Sequence, residues 1–329
     1  MKKRWSLWVA AVVMALVLSA CGGTAPAEEA QGTITEPAVL GAEAPQTQTE
    51  EPKAGQPEGT VYPLTVTDAS GTEVTLEKAP EKLISIAPSE TEVLFAIGAG
   101  DRVVGVNDWS DYPAEAADLP KVGGFPVNIE KILELEPDLV VAGWTLNKAD
   151  VEELRRLGIT VYASEPKSID EVLAHIREMG RIVNSVETAE QVAQKMENDR
   201  KLVADVAGNI AENEKKSVYI EFDVGWTVGK GTFMDELIAE AGGINIAGDQ
   251  EGWYEISEEM IIEKNPQVIL HGMYVPVEMI SERAGWGQID AIVNGRMNKV
   301  DDNLVSRPGP RITEGLVEVA KAIYPEKFN

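Results

Sequence analysis

The 329-residue chain carries 29 Lys and Arg against 55 Asp and Glu, a formal net charge of −26 at pH 7, with one cysteine and two histidines. Such an acidic balance argues against nucleic acid as a partner, which needs a cationic face. One cysteine leaves no disulfide framework and no thiolate metal cluster.

The opening "MKKRWSLWVAAVVMALVLSAC" has a basic start, an apolar run too short for a membrane span, and small residues before Cys21. Residues 1–20 are expected to be a secretory signal. The break in "LSAC" resembles the lipobox of bacterial lipoproteins, which implies lipidation at Cys21 and a chain tethered to the membrane rather than inserted in it. No later stretch approaches transmembrane length. The expected location is extracytoplasmic, on the cell membrane. Residues 21–61 are rich in Ala, Pro, Gly, Thr, Gln and Glu and lack an aromatic residue. Such a segment buries too little surface to order itself and is expected to be a disordered tether with a reach of about 35 Å.

The remainder is too long for one ordinary domain and comfortable for two. "NIEKILELEPDLVVAGW" (128–144) has a near copy in "SEEMIIEKNPQVILHGM" (257–273), with Glu130 on Glu259 and Pro137 on Pro266. Each copy has an N-cap (Asn128, Ser257), a short amphipathic helix stopped by Pro, and an apolar run reading as a strand buried on both faces. Helix followed by buried strand implies a parallel α/β sheet. A second echo pairs "LFAIGAGDRVVG" (94–105) with "LIAEAGGINIAG" (237–248); before these stand the apolar runs "KLISIA" and "SVYIEF", each a further strand. The first copy holds extra residues around "WSDYPAEAADLPKVGG". Between the copies, Val186, Ala189, Val192, Ala193, Met196, Val203, Ala207 and Ile210 recur at helical spacing. A helix of some 28 residues, about 42 Å, is expected there. The expected fold is α/β: two Rossmann-like lobes with parallel sheets, residues 62–183 and 215–329, joined by one long helix within 184–214, with a cleft between them.

These motifs, with "SDYP" (110–113), "LRRLGITVY", "GKGTFMDELIAEAGGINIAG" and "SRPGPRITEGL", resemble the iron-siderophore and cobalamin substrate-binding proteins of bacterial ABC importers, over essentially all of residues 62–329. The cobalamin binders look nearest. The resemblance implies a largely preformed cleft, a monomer, and delivery of the ligand to a permease dimer. Ligands of parallel α/β lobes sit outside the carboxyl ends of the strands. Those ends carry Ser89, Trp109, Trp144, Trp226, Trp253 and Tyr254, with Met273 and Tyr274 after "ILHG" and Phe125 placed similarly. Large aromatics suit a broad, flat, partly apolar ligand, although loop aromatics also brace lobes. Trp286 is assigned to packing. Arg307 and Arg311 could grip a ligand across the cleft, or set up the last helix and pair with acidic neighbours; ligand contact is assigned to Arg307 and the structural role to Arg311. Glu130 and Glu259 suit the first turn of a helix through the dipole alone. The resemblance implies more, that each docks onto arginines of the permease.

A zinc or manganese site would need a cluster of His and carboxylates. His175 reads as ordinary helix surface, and His271, ending a strand, could reach the metal of a bound chelate. "GWTVGKGT" (225–232) fails the spacing of a phosphate loop, and no nucleophile–base arrangement emerges. The expectation is therefore a binding protein and not an enzyme, without a resident cofactor or metal. Its ligand is expected to be a metal chelate: a corrinoid first, a ferric siderophore or haem second. A lipid-anchored ligand sensor is the rival of a different class.

Overall fold

The structure is a computed structural model that describes residues 59–328. The signal segment, Cys21 and nearly all of the tether lie outside the described residues. A hairpin, β1 (Leu64–Thr67) and β2 (Glu73–Leu76), comes first, antiparallel with Leu64 opposite Leu76. Its residues alternate strictly between buried and exposed, the period-two signature of a ribbon with one face on the core. The Asp68 carboxylate in its turn accepts Ser70 N at 2.9 Å and Ala163 N at 3.0 Å and pairs with Arg155, which pins the turn to the first lobe.

The first lobe runs β3 (Leu83–Ser85), α1 (Pro88–Ala96), β4 (Val103–Val106), α2 (Ala114–Ala117), α3 (Ile129–Glu134), β5 (Leu139–Gly143), α4 (Trp144–Arg156), β6 (Val161–Ser164) and α5 (Ile169–Ile182). After α6 (Val186–Ala207) come β7 (Ser217–Glu221), β8 (Trp226–Val228), α7 (Phe233–Glu240), β9 (Ile244–Asn245), β10 (Trp253–Glu255), α8 (Glu258–Lys264), β11 (Val268–His271), α9 (Val277–Ser281), α10 (Asp290–Val293), β12 (Met297–Lys299), α11 (Asp302–Ser306) and α12 (Ile312–Ile323). Each lobe holds one four-stranded, wholly parallel sheet, ordered β4-β3-β5-β6 in the first and β9-β7-β11-β12 in the second. The sequence repeat is thus a structural one: β5 and β11, which carry the matched apolar runs, occupy the same place in their sheets. Both are buried along their length apart from Gly143, as strands covered by helices on both faces must be.

Helix α6 has 22 residues and so spans about 33 Å, shorter than its pattern predicted. Gly208 caps it, and Ile210, which continues the apolar periodicity, is buried in the turn beyond. At the other end Asn184 takes a left-handed conformation (φ 55°) and Ser185 makes no side-chain capping bond. Helix α6 packs on α5 on one side and on α12 and α7 on the other. Its crossing with α5 is close: a Cβ on Gly180 would collide with the Ala189 methyl. One buried apolar cluster runs from the hairpin through α1 and α5, across Ala189, Ala193, Met196 and Val203 of α6, into α7 and α12. The outer faces of the two sheets have their own cores, around Ile132 and Leu154 in the first lobe and around Ile261 and Trp286 in the second. A core continuous across the lobes, packed to the density of a crystal, restricts how far they can swing apart.

Candidate ligand-binding cleft

A cleft of about 680 Å³ opens between the lobes, at the carboxyl ends of the strands. Strand β3 runs out through Ala87 into α1, where Pro88 occupies the first turn and Ser89 faces the cleft. Strand β5 passes directly into α4, leaving Thr145 and Leu146 on the first turn in the opening. Strand β6 ends at Ser164, followed by Glu165, Pro166 and Lys167. The two turns are clasped together, Thr145 N and Oγ donating to the Glu165 carboxylate at 2.9 and 2.8 Å. The second lobe contributes the start of α7, capped by Thr232 and followed by Phe233 and Met234, then Trp253 at the head of β10, and the bend from Ser306 to Pro308. Leu146 is 70% exposed, Trp253 50% and Phe125 44%. Large apolar groups facing each other across one opening mark a binding surface rather than unfinished packing.

Of the residues expected at the ligand, Ser89, Phe125, Trp253 and Arg307 line this cleft. Trp109 is exposed at its rim beside Gly124, and its carbonyl accepts Arg307 Nη2 at 3.4 Å. Trp226 stands on β8, whose partner is β10, and is half exposed outside the cleft lining. Trp144 is half-buried on the outer core of the first lobe, with the Lys148 ammonium 5.5 Å from its ring centre. Tyr254 packs on the outer core of the second lobe and donates its hydroxyl to the Ala247 carbonyl at 3.0 Å. Adjacent strand residues point to opposite faces, so Trp253 and Tyr254 cannot both enter the cleft from β10. Met273 and Tyr274 are exposed and His271 is buried; none of the three is among the lining residues. Trp286 is fully buried, as its assignment to packing required.

Arg307 reaches the cleft already paired. Its Nη1 donates to Glu92 Oε1 at 2.9 Å and to Asp111 Oδ1 at 2.7 Å, both on the opposite lobe. Glu92 is buried and also takes Arg311 Nε and Nη2 at 2.8 and 2.6 Å. The guanidinium of Arg311 lies 3.8 Å over the Tyr112 ring. Burial alone would lift the Asp111 carboxyl and depress Arg311, but their partners outweigh it, holding Asp111 below the usual carboxylate range and Arg311 above its own. Lys167 is the lining cation that has no ion pair among the described residues.

His175 contradicts its reading as surface. It is buried on the apolar stripe of α5, three residues after Val172 and four before Met179, a spacing that signals the inward face. Its Nε2 lies 2.9 Å from Glu90 Oε2, and its ring stacks on Tyr162 with centres 6.1 Å apart. Burial disfavours the imidazolium, but the Glu90 carboxylate prevails and raises the pKa of His175. The other Glu90 oxygen accepts the hydroxyl of Ser164, a cleft residue. Sequence reasoning missed Ser164, Leu146 and Phe233. Ser164 ends the buried run "VYAS", and the strand-end rule already in use would have found it.

The second lobe has its own buried support. Glu221 Oε1 accepts Arg283 Nη1 and Gly225 N, both at 2.7 Å, and so fixes the turn into β8. Phe222, just after β7, packs its ring 5.2 Å from that of Trp253. Glu130 and Glu259 are both exposed in the first turns of α3 and α8. Asn128 and Ser257 cap those helices by accepting Lys131 N at 3.1 Å and Met260 N at 3.3 Å.

Comparison with known proteins agrees with this architecture. A family profile described as "Periplasmic binding protein" matches residues 83–304. An uncharacterized ABC transporter substrate-binding lipoprotein of Bacillus subtilis, YvrC, is 35% identical over the whole of this chain and 99% of its own. A cobalamin-binding protein of Halobacterium salinarum is 30% identical over 89% of this chain and 81% of its own. Among solved structures, a possible iron-binding (periplasmic solute-binding) protein of Staphylococcus epidermidis superposes with a TM-score of 0.66 and 29% identity, covering 75% of this chain and all of that one.

Proposed function

The chain belongs to the periplasmic binding protein family, and we propose that it is the extracytoplasmic binding subunit of an ABC importer that captures a corrinoid. The observation that carries the ligand class is the charge state of the cleft. An anionic chelate needs a cluster of free cations, but of the two cations in the lining Arg307 is shared between two carboxylates, which leaves Lys167 alone beside the Glu165 carboxylate. What the cleft offers freely is apolar surface on facing walls: Phe125 and Leu146 from one lobe, Trp253 and Phe233 from the other. A broad macrocycle of low net charge, edged with polar amides, fits those walls. Removing such surface from water gives roughly 25 cal/mol per Å², and a cleft that is already formed avoids much of the ordering cost. The cobalamin-binding relative supports this reading. The resemblance to a possible iron-binding protein favours a ferric siderophore as the second reading.

In this proposal residues 62–183 and 215–329 act as nearly rigid halves on either side of α6. Cys21 carries the lipid, and residues up to 61 are the tether, in keeping with the lipoprotein description of the Bacillus relative. Glu130 and Glu259, one per lobe on equivalent helices, dock onto the permease. Titration with cyanocobalamin, cobinamide and a panel of ferric siderophores, followed by tryptophan fluorescence and calorimetry, tests the ligand. Saturable binding of a corrinoid at micromolar or lower concentration is the expected result. Binding of siderophores alone would transfer the site to the second reading.

A further inference from the structure

We infer that Ser164 presents only a hydrogen-bond acceptor to the cleft and thereby selects a ligand bearing a primary amide over the same ligand bearing a carboxylate at that point. The inference rests on the corrinoid reading, since corrinoids carry primary amides around the macrocycle. It starts from one proton. A serine hydroxyl has a single hydrogen and two lone pairs, whereas an ionised carboxylate can only accept. The Ser164 hydroxyl is hydrogen-bonded to Glu90, so its proton is committed to that carboxylate. On its far side Glu90 faces His175, whose Nε2 stands 2.9 Å from Oε2. Both partners are buried, where a carboxylate without its counter-ion would be costly. Oγ is therefore left with lone pairs, at the end of β6 on the wall of the cleft.

A ligand amide N–H meets those lone pairs as a donor. A ligand carboxylate meets an acceptor with no proton to offer, so two acceptors face each other unpaired in a setting withdrawn from water. The Glu165 carboxylate next to it accepts Thr145 N and Oγ. Ser164 is the contact residue in this arrangement, and Glu90 and His175 are positioning residues that fix the direction of its proton.

The test compares cyanocobalamin with its monocarboxylic acid isomers, each with one amide hydrolysed, against the full wild-type chain and Ser164→Ala. At least one isomer should bind wild type about tenfold more weakly than the parent, the scale of one well-placed polar contact. Ser164→Ala should bring that ratio to within about twofold while weakening the parent's binding. Glu90→Gln, which restores a choice of proton direction, should relax the ratio without abolishing binding. Equal ratios in wild type and Ser164→Ala, with cyanocobalamin bound by both, would overturn the assignment and leave the corrinoid reading standing. A wild-type chain that binds no corrinoid would overturn that reading first. If Ser164→Ala fails to fold, the wild-type series still decides: isomers that all bind as well as the parent exclude amide selection.

Discussion

Glu92, buried at the middle of α1 in the first lobe, receives both Nε and Nη2 of Arg311 from the second, at 2.8 and 2.6 Å. With Arg307 on the same carboxylate and Asp111 beyond it, four charges are balanced across the junction of the lobes. Removing the carboxylate leaves two partly buried guanidinium groups short of a counter-ion. Glu92→Gln should destabilise the chain by about 3 kcal/mol, the usual cost of breaking a buried pair from one side. Urea unfolding at pH 7 measures it; a midpoint within error of wild type would mean that solvent already screens the junction.

Trp253 and Tyr254 are neighbours with opposite fates. Trp253→Ala should weaken ligand binding at least tenfold with little change in the unfolding midpoint, because the indole is half in water and lines the cleft. Tyr254→Ala should do the reverse, lowering stability by about 3 kcal/mol through lost packing and the lost bond to Ala247, with affinity nearly intact. Calorimetric titration and denaturation of both variants separate the effects. Equal losses of affinity would show that the second core, and not the cleft face of β10, controls the site.

The architecture was legible because buried parallel strands leave apolar runs and the duplication repeats them. β5 and β11 were visible as "DLVVAG" and "QVILHG", and their caps Asn128 and Ser257 hold their helices as read. The site was harder to read. Strand ends name the right loops, but side-chain direction depends on where the strand stops: β5 runs into α4 without a loop, which turns Trp144 onto the core. The pairing of Arg307 with Glu92 spans 215 residues, and no local pattern encodes it. His175 was legible in principle, since its spacing from Val172 and Met179 places it inward, against its reading as ordinary helix surface.

The buried pair of His175 and Glu90 gives a pH dependence whose sign is fixed. The folded-state pKa of His175 is raised above its ordinary 6.5 by Glu90, with Glu178 adding to it. Its stabilising contribution is then complete below that ordinary value and is lost as pH rises through the higher folded-state value. Facing it are Glu90 from α1, Glu178 from its own helix and the Tyr162 ring from β6, whose hydroxyl is bonded to Glu178. His175→Gln should therefore be most damaging near pH 6, with the gap to wild type narrowing towards pH 9. Urea midpoints at half-unit intervals trace it. A gap that widens with pH would mean that the neutral imidazole is the form the fold prefers.

Glu130 and Glu259 stand at equivalent positions of α3 and α8, exposed, while the next turn of each helix is anchored by a buried isoleucine, Ile132 and Ile261. The helix dipole favours a carboxylate at either exposed place by about 0.3–1 kcal/mol, so reversal to lysine should shift stability only slightly. Permease docking predicts a much larger effect elsewhere. In cells that depend on the importer, the double reversal should abolish uptake while ligand affinity stays within about twofold, since neither residue lines the cleft. Each single reversal should fall between, because a two-fold partner engaging both lobes loses one contact of two. Normal uptake by the double variant would return both carboxylates to the role the dipole alone explains.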